Sequence, residues 1–303
     1  YARRFGKVQA QAGVRYEHVT SDYYEYGKKV EEQSRKYDSF FPSLALSFPL
    51  GKVQMQLAYR ASIKRPSYWD LRGNILYINR YTYETGNPLL QPTTIQSLSL
   101  NTIYRWMSLS FSYNHYKNDY TSYVRAYSEE NPTIGLLTRE HLAPYNRLSA
   151  SLMLSPVIGK WSPRWGVQVQ RYDCKVNTPQ GVETFGNPRA ILSWRNTVKF
   201  TDSFWINADA YYQTKSQIDN TEYLEDSWYM NLNLYKGFQN NRMSLQFQVS
   251  DLFNTRKSHV LVYSGLRTME LEEEMRRTVS LTFRYKFNPT KSKYRGTGAG
   301  QSQ

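Results

Sequence analysis

Apolar and polar residues alternate one by one through most of this chain. In "MSLQFQVS", Met243, Leu245, Phe247 and Val249 are apolar, while Ser244, Gln246, Gln248 and Ser250 are polar. Successive side chains of a β-strand point to opposite faces, so the stretch predicts a strand with one apolar and one hydrated face. The same period runs through residues 8–16, 44–48, 53–63, 98–100, 107–113, 148–154, 165–169, 190–200, 204–212, 228–234 and 279–287. Twelve strands are predicted.

The connections predict how the strands are joined. Those at 48–53, 103–107, 199–204 and 236–243 are tight, and 155–165 is slightly longer. Those at 20–38, 64–92, 117–144, 171–187, 213–223 and 255–275 are long. Short and long connections alternate, which gives a meander with turns at one rim and loops at the other. That is the arrangement of a transmembrane β-barrel, with periplasmic turns and extracellular loops. Strands of about ten residues, rising about 3.3 Å per residue and tilted about 45°, cross about 25 Å of hydrocarbon. The apolar faces are therefore expected to meet lipid.

Composition agrees with this reading. No run of about 18 apolar residues occurs, so no transmembrane helix is expected. Aromatics make up 16%, with 27 Tyr and 7 Trp. Tyr59, Tyr104, Trp106, Tyr113, Trp161, Trp165, Trp205, Trp228 and Tyr285 lie at predicted strand ends, as aromatic girdles at headgroup level require. The single cysteine, Cys174, excludes an internal disulfide. The start "YARRFGKVQA" carries no signal peptide pattern, which suggests a piece whose N-terminus lies elsewhere.

The net charge of +14 is dispersed, and no basic nucleic-acid motif accompanies it, so no nucleic-acid partner is expected. No HExxH, CxxC, P-loop or GxGxxG occurs, and no cofactor, metal or catalytic residue is assigned. His18, His115, His141 and His259 lie near or within the outer loops. His115 with Asp119 is weighed as a nearby His–acid pair, and it reads as loop decoration.

Several segments resemble a known family. "FQVSDLFNTRK" is similar to the penultimate-strand signature of TonB-dependent outer-membrane receptors, carried by Asp251, Leu252, Phe253 and Asn254. "LAYRASIKRPSYWDL" followed by "ETGNPLLQPTT" resembles the outer-membrane β-barrel family found beside those receptors in Bacteroidetes. Arg65, Pro66, Ser67, Gly86, Asn87, Pro88, Leu90 and Pro92 carry that likeness, and the tail "FNPTKSKYRGTGAG" adds to it. Where the family loop often reads L-N-P after R-P-S, this chain has "LRGN". In physical terms, the prolines mark where strands stop and start. Gly86-Asn87 reads as a turn of positive φ. Asp251 and Asn254 suit backbone hydrogen bonds where pairing ends.

The resemblance implies an all-β, antiparallel up-and-down transmembrane barrel in the Gram-negative outer membrane. About twelve strands are present, as the C-terminal part of a 22-stranded barrel. The expected layout is a partial barrel over residues 1–288 and a flexible basic tail over 289–303. The resemblance further implies energised uptake of a bulky solute, a missing N-terminal plug with further strands, TonB as a partner through that region, and a surface lipoprotein. A passive porin-like channel is the alternative, and an outer-membrane enzyme a distant third. Within the barrel, Ser97, Ser99, Ser110, Asn114, Asn233, Gln246 and Gln248 are expected to form a hydrated wall, with cations from Arg60, Lys64, Arg195, Lys199, Arg284 and Lys286. Rim cations also suit lipopolysaccharide phosphates. Ligand contact is expected from Tyr68, Trp69, Tyr77, Tyr81, Tyr83, Tyr120, Tyr123 and Tyr127 in the two longest loops, backed by Arg60, Lys64, Arg195 and Lys199. Such aromatic surfaces suit sugars, peptides or siderophores.

Overall fold

The computed structural model describes residues 1–287, so the expected tail at 289–303 lies outside the described residues. One antiparallel sheet forms the wall, its strands neighbouring one another in chain order. They are β1 (Ala2–Phe5), β2 (Val8–Ser21), β3 (Arg35–Leu50), β4 (Val53–Lys64), β5 (Thr93–Tyr104), β6 (Met107–Lys117) and β7 (Tyr145–Leu154), followed by β8 (Trp161–Thr178), β9 (Arg189–Thr201), β10 (Phe204–Gln213), β11 (Ser227–Phe238), β12 (Met243–Ser250) and β13 (Thr278–Tyr285). All twelve expected strands are present, and the short β1 precedes them. Segment Gly181–Phe185 pairs with the upper extension of β8. Among the described residues β1 and β13 are not paired with each other, so the wall is an open arc.

The lower turns are as short as the sequence predicts. Two residues separate Leu50 from Val53, Tyr104 from Met107 and Thr201 from Phe204 across their hairpins. Arg105 at φ 51° and Gly51 at φ 61° supply the left-handed geometry that tight hairpins need.

Register sorts the two faces. Leu46, Leu57, Leu100, Phe111, Ala150, Val169 and Ala190 form one continuous cross-strand row on the outer face. The row one residue away runs Gln56, Asn101, Ser110, Ser151 and Gln168 on the inner face. Leu57, Leu98, Phe111, Leu148 and Leu192 stay exposed outward, as side chains facing lipid do. Inner polar groups bond one another: Ser110 with Ser151 at 2.8 Å, Ser97 to Asn114 at 2.7 Å, and Gln246 to Asn233 at 3.1 Å.

Two expectations about the wall need correction. Trp205 does not join an outer girdle. Its neighbours Phe204 and Ile206 take the outer face, so Trp205 points inward and stacks on Tyr235 at 5.2 Å. Nor is the inner face hydrated throughout. Toward the loop end, Tyr116, Tyr145, Tyr172, Cys174, Val176 and Phe185 form a buried apolar cluster. The rings of Tyr116 and Tyr145 stack 4.8 Å apart at 5°. Cys174 is completely buried there as a small packing residue.

Above the wall the long connections fold into sheets of their own. One has the order Tyr120–Ala126, Gly135–His141, Thr82–Glu84, Leu76–Asn79, and its middle pair is parallel. The other has the order Ser216–Ile218, Thr221–Tyr223, Lys257–Ser264, Arg267–Glu274. A bridge from Val124 to Gly265 joins them, and Arg267 donates to the Tyr81 carbonyl at 2.9 Å and to Thr82 Oγ1 at 3.1 Å.

Candidate ligand-binding surface

The R-P-S and G-N-P segments build the base of this surface together. Ser67 caps a single helical turn, α1 (Tyr68–Leu71), and exchanges hydrogen bonds with Asp70 in a capping box. The turn is pinned by its neighbours. Asp70 accepts from Arg139 Nε at 3.1 Å and from Tyr120 Oη at 3.2 Å, and Arg72 bridges to Glu84 at 3.1 Å. Burial works against the Asp70 carboxylate, but the hydrogen bonds from Ser67, Arg139 and Tyr120 outweigh it and hold its pKa below the usual range.

Gly86-Asn87 is not a turn of positive φ. Gly86 is required for a different reason. A Cβ there would lie 2.5 Å from the Asp70 carbonyl oxygen and 2.6–2.7 Å from backbone atoms of Arg72. Asn87 N–H donates to that Asp70 carbonyl at 2.6 Å, and the Asn87 side chain donates to the Arg139 carbonyl at 2.9 Å. G-N-P therefore docks the second half of the loop onto the helical turn. By contrast, Asp251 and Asn254 behave as expected. Both have positive φ, Asp251 accepts from the N–H groups of Thr255 and Arg256 at 3.0 Å, and Asn254 accepts from that of Arg277 at 2.9 Å.

Some of the candidate ligand residues come together and some do not. Tyr83 links Tyr77, at 5.8 Å, to Tyr127, at 4.8 Å. Lys64 lies 5.7 Å from the Tyr120 ring. Tyr68 and Trp69 stand outward on α1, with Trp69 covered on one face by the Arg72 guanidinium at 3.5 Å. Tyr81 is exposed beside Arg80. Tyr123 packs on Gly265, where a Cβ would meet its ring at 2.5 Å. Arg60, Arg195 and Lys199 lie on the wall, apart from these tyrosines, and Arg195 is neutralised by Asp209 at 3.1 Å. The inner cationic wall is thus weaker than composition implies.

A cavity of about 670 Å³ opens between the upper ends of β2 and β3 and the R-P-S loop, a volume suited to a small-molecule site. Arg35, Arg65, Tyr37 and Tyr68 line it. Arg65 bonds Tyr37 and Glu17, and Arg35 donates to the carbonyls of Pro88 and Leu90. Sequence reasoning passed over Arg35, Arg139 and Glu84. The S-x-x-D spacing of Ser67 and Asp70 was a readable helix-start signal, but nothing local points to Arg139 as its partner.

The histidines find acids far away in sequence. His18 meets Asp38 at 2.8 Å and His259 meets Glu270 at 2.6 Å, whereas His115 bonds Asn146 and Asp119 bonds Tyr145. The expected His115–Asp119 pair is therefore not formed.

One loop carboxylate is held unfavourably. Asp219, at φ 50° in the tip of the 216–223 hairpin, keeps a buried oxygen without a hydrogen bond. Burial raises its pKa and Asp119 adds to the rise, while Arg147 and Lys64 oppose it. A carboxylate with a raised folded pKa has its full stability below its unfolded pKa and loses it as pH rises through the folded one. Asp219→Asn, which also tolerates the left-handed backbone, is expected to slow hydrogen exchange of residues 216–223 at pH 7. It should have little effect at pH 3, where Asp219 is protonated. Equal slowing at both pH values would remove the burial argument.

No curated protein sequence matches the chain. A point mutant of the ferric enterobactin receptor of Pseudomonas aeruginosa, in complex with enterobactin, superposes with a TM-score of 0.57 at 16% identity over 92% of this chain and 42% of its own. The siderophore receptor PirA of Acinetobacter baumannii gives 0.58 at 12% identity, over 93% and 44%. The FrpB iron transporter of Neisseria meningitidis gives 0.61 at 13%, over 94% and 44%. The chain thus spans less than half the length of these structures and shares their barrel fold. Residues 1–285 match the model of the outer membrane protein beta-barrel family, and the chain belongs to that family and to the outer membrane.

Proposed function

We propose that this chain is the wall and part of the outer platform of a TonB-dependent receptor that takes up a bulky solute. The observation that carries this reading is the folding of the outer connections into two latched sheets above an inner face that bears a buried aromatic cluster at its loop end. A passive pore needs an open hydrated mouth, and a rigid aromatic-lined platform suits a receptor that grips its solute first. A ferric enterobactin receptor, a siderophore receptor and an iron transporter share this fold, which supports testing ferric siderophores first among solutes, with glycans and peptides beside them. On this reading the function is transport without catalysis. The partners are a plug and further strands of the same polypeptide, the TonB complex acting through them, and a surface lipoprotein over the loops.

Contact with solute is assigned to the exposed rings Tyr68, Trp69, Tyr77 and Tyr81, with Tyr83, Tyr120, Tyr123 and Tyr127 as their support and Lys64 as the nearest of the inner cations. Arg60, Arg195 and Lys199 form a later stage along the wall. The test uses the full-length parent protein in its own cells and a panel of labelled ferric siderophores, oligosaccharides and peptides. Protein-dependent uptake of one solute is expected to stop when TonB is deleted, and uptake that continues would favour the porin. Removing residues 128–133, which spares the paired strands on either side, is expected to leave surface display normal and to lower uptake several-fold. Unchanged uptake would move the contact site to the cavity at Arg35.

A further inference from the structure

Between β10 and β11 the chain makes a small hairpin, Ser216–Ile218 against Thr221–Tyr223. Its Ile218 packs on the buried cluster of the inner face, beside Tyr116, Tyr145, Tyr172 and Cys174. The base of the hairpin is closed by Asp226, which accepts from the Lys215 N–H at 2.7 Å. Gln217 accepts from the N–H groups of Gly186 and Asn187 at 3.2 and 3.3 Å. Above this base the hairpin is weakly held. Three residue pairs, from Thr221–Val262 to Tyr223–Val260, join it to the next strand, whereas that strand makes eight with Arg267–Glu274.

The closed position also leaves polar atoms without partners. Ser216 Oγ and Asp219 Oδ1 are both buried with no hydrogen bond, and each opposes closure. Asp219 sits among Asp119, Lys64, Arg147, Tyr116, Tyr145 and Cys174. Arg147 Nε, buried in the same region, lacks a partner as well. Glu222 is engaged by Gln217 and Tyr263, and Arg189 faces the Tyr223 ring at 5.1 Å. Burial and Asp119 favour the neutral acid at Asp219 over the carboxylate. Closure is therefore most stable below the ordinary carboxylate pKa, and that stability is lost as pH rises. We propose that the 216–223 hairpin is a lid on the inner wall, lying on the Tyr145 cluster when Asp219 carries a proton and lifting when Asp219 is ionised. A lifted lid uncovers Cys174, the tyrosine rings and Arg147, whose guanidinium lies 5.3 Å from the Tyr116 ring and 5.8 Å from that of Tyr172. The inference concerns the hairpin alone and stands whatever the barrel transports.

Cys174 is fully buried under the lid and is the one cysteine of this chain, so its reactivity reports opening. The test follows the reaction of 4,4′-dithiodipyridine, which attacks thiols at acid as well as neutral pH, with the folded full-length protein in detergent. Modification is read by mass spectrometry of the Cys174 peptide. At pH 7.5 Asp219→Asn is expected to react about tenfold more slowly than the parent, since it no longer buries a charge. At pH 4 the two rates should agree within about twofold, because Asp219 is then largely protonated. Losing a negative charge beside the thiol would by itself speed the reaction, so slowing at pH 7.5 reports closure. Ile218→Ser removes the apolar contact and is expected to react several-fold faster than the parent at both pH values, with the heat-modifiable barrel intact. Equal rates for Asp219→Asn and the parent at pH 7.5, or the same ratio at both pH values, would overturn the proposal. An unaltered rate in Ile218→Ser, or a Cys174 that stays unmodified in every variant, would do so too.

Discussion

Replacing Leu57 with arginine is expected to cost about 2–4 kcal/mol of folding stability, because the new charge would sit in hydrocarbon. Leu57 belongs to the continuous outer row from Leu46 to Ala190, with apolar partners Leu46 and Leu100 on either side. Phe283 shares the outward face, and each of the two residues lies two positions from a girdle tyrosine, Leu57 from Tyr59 and Phe283 from Tyr285. Phe283→Arg should therefore cost a similar amount. Gln246→Arg is the contrasting case. Gln246 faces inward and donates one hydrogen bond to Asn233, so its replacement should cost no more than about 1 kcal/mol. Urea titration of the full-length protein folding into lipid vesicles measures all three. Equal costs for Leu57→Arg and Gln246→Arg would mean that the two faces have been assigned wrongly.

The membrane wall was legible in the sequence because its determinants are local. A period of two fixes which side chains share a face, and a two-residue turn fixes which strands pair. That is why all twelve strands and both rims could be read directly. Trp205 was misplaced because its position at a strand end was weighed without the parity set by Phe204 and Ile206. The sheets formed by the loops are not legible in the sequence because their order comes from distant partners. Gly135–Leu137 pairs in parallel with Thr82–Glu84, and Val124 meets Gly265. No short-range pattern announces such pairings. The same distance hid the aromatic cluster around Tyr145, whose members come from several segments. Arg195 faces Asp209 across the 201–204 hairpin, so that pair was readable from the turn and its neutralising effect was overlooked. Proline and glycine marked where the loops begin and end. They did not reveal that Gly86 is needed for its missing Cβ, whatever its backbone angle.

That reading of Gly86 makes a sharp prediction. Gly86→Ala would place a methyl group 2.5–2.7 Å from three backbone atoms of Asp70 and Arg72. Backbone has no rotamer to retreat into, so the two halves of the 64–92 loop must separate. Overpacking of this kind costs about 1–3 kcal/mol. The loss should stay local, because Gly86 touches the platform and not the membrane wall. Its carbonyl accepts from Thr138 Oγ1 at 2.9 Å, and the adjoining Asn87 holds Arg139, which in turn holds Asp70. Moving Gly86 therefore loosens α1, the 135–141 strand and the Arg139–Asp70 pair together. The expected result for the full-length variant is normal heat-modifiable assembly in the outer membrane, with faster hydrogen exchange across 68–90 and 135–141. Solute affinity should fall if Tyr68 and Trp69 make the contact, since both stand on the released turn. Gly86→Ser should behave alike, because the clash arises at Cβ itself. Unchanged exchange in both variants would show that the loop tolerates the added atom and that G-N-P is, after all, an ordinary turn.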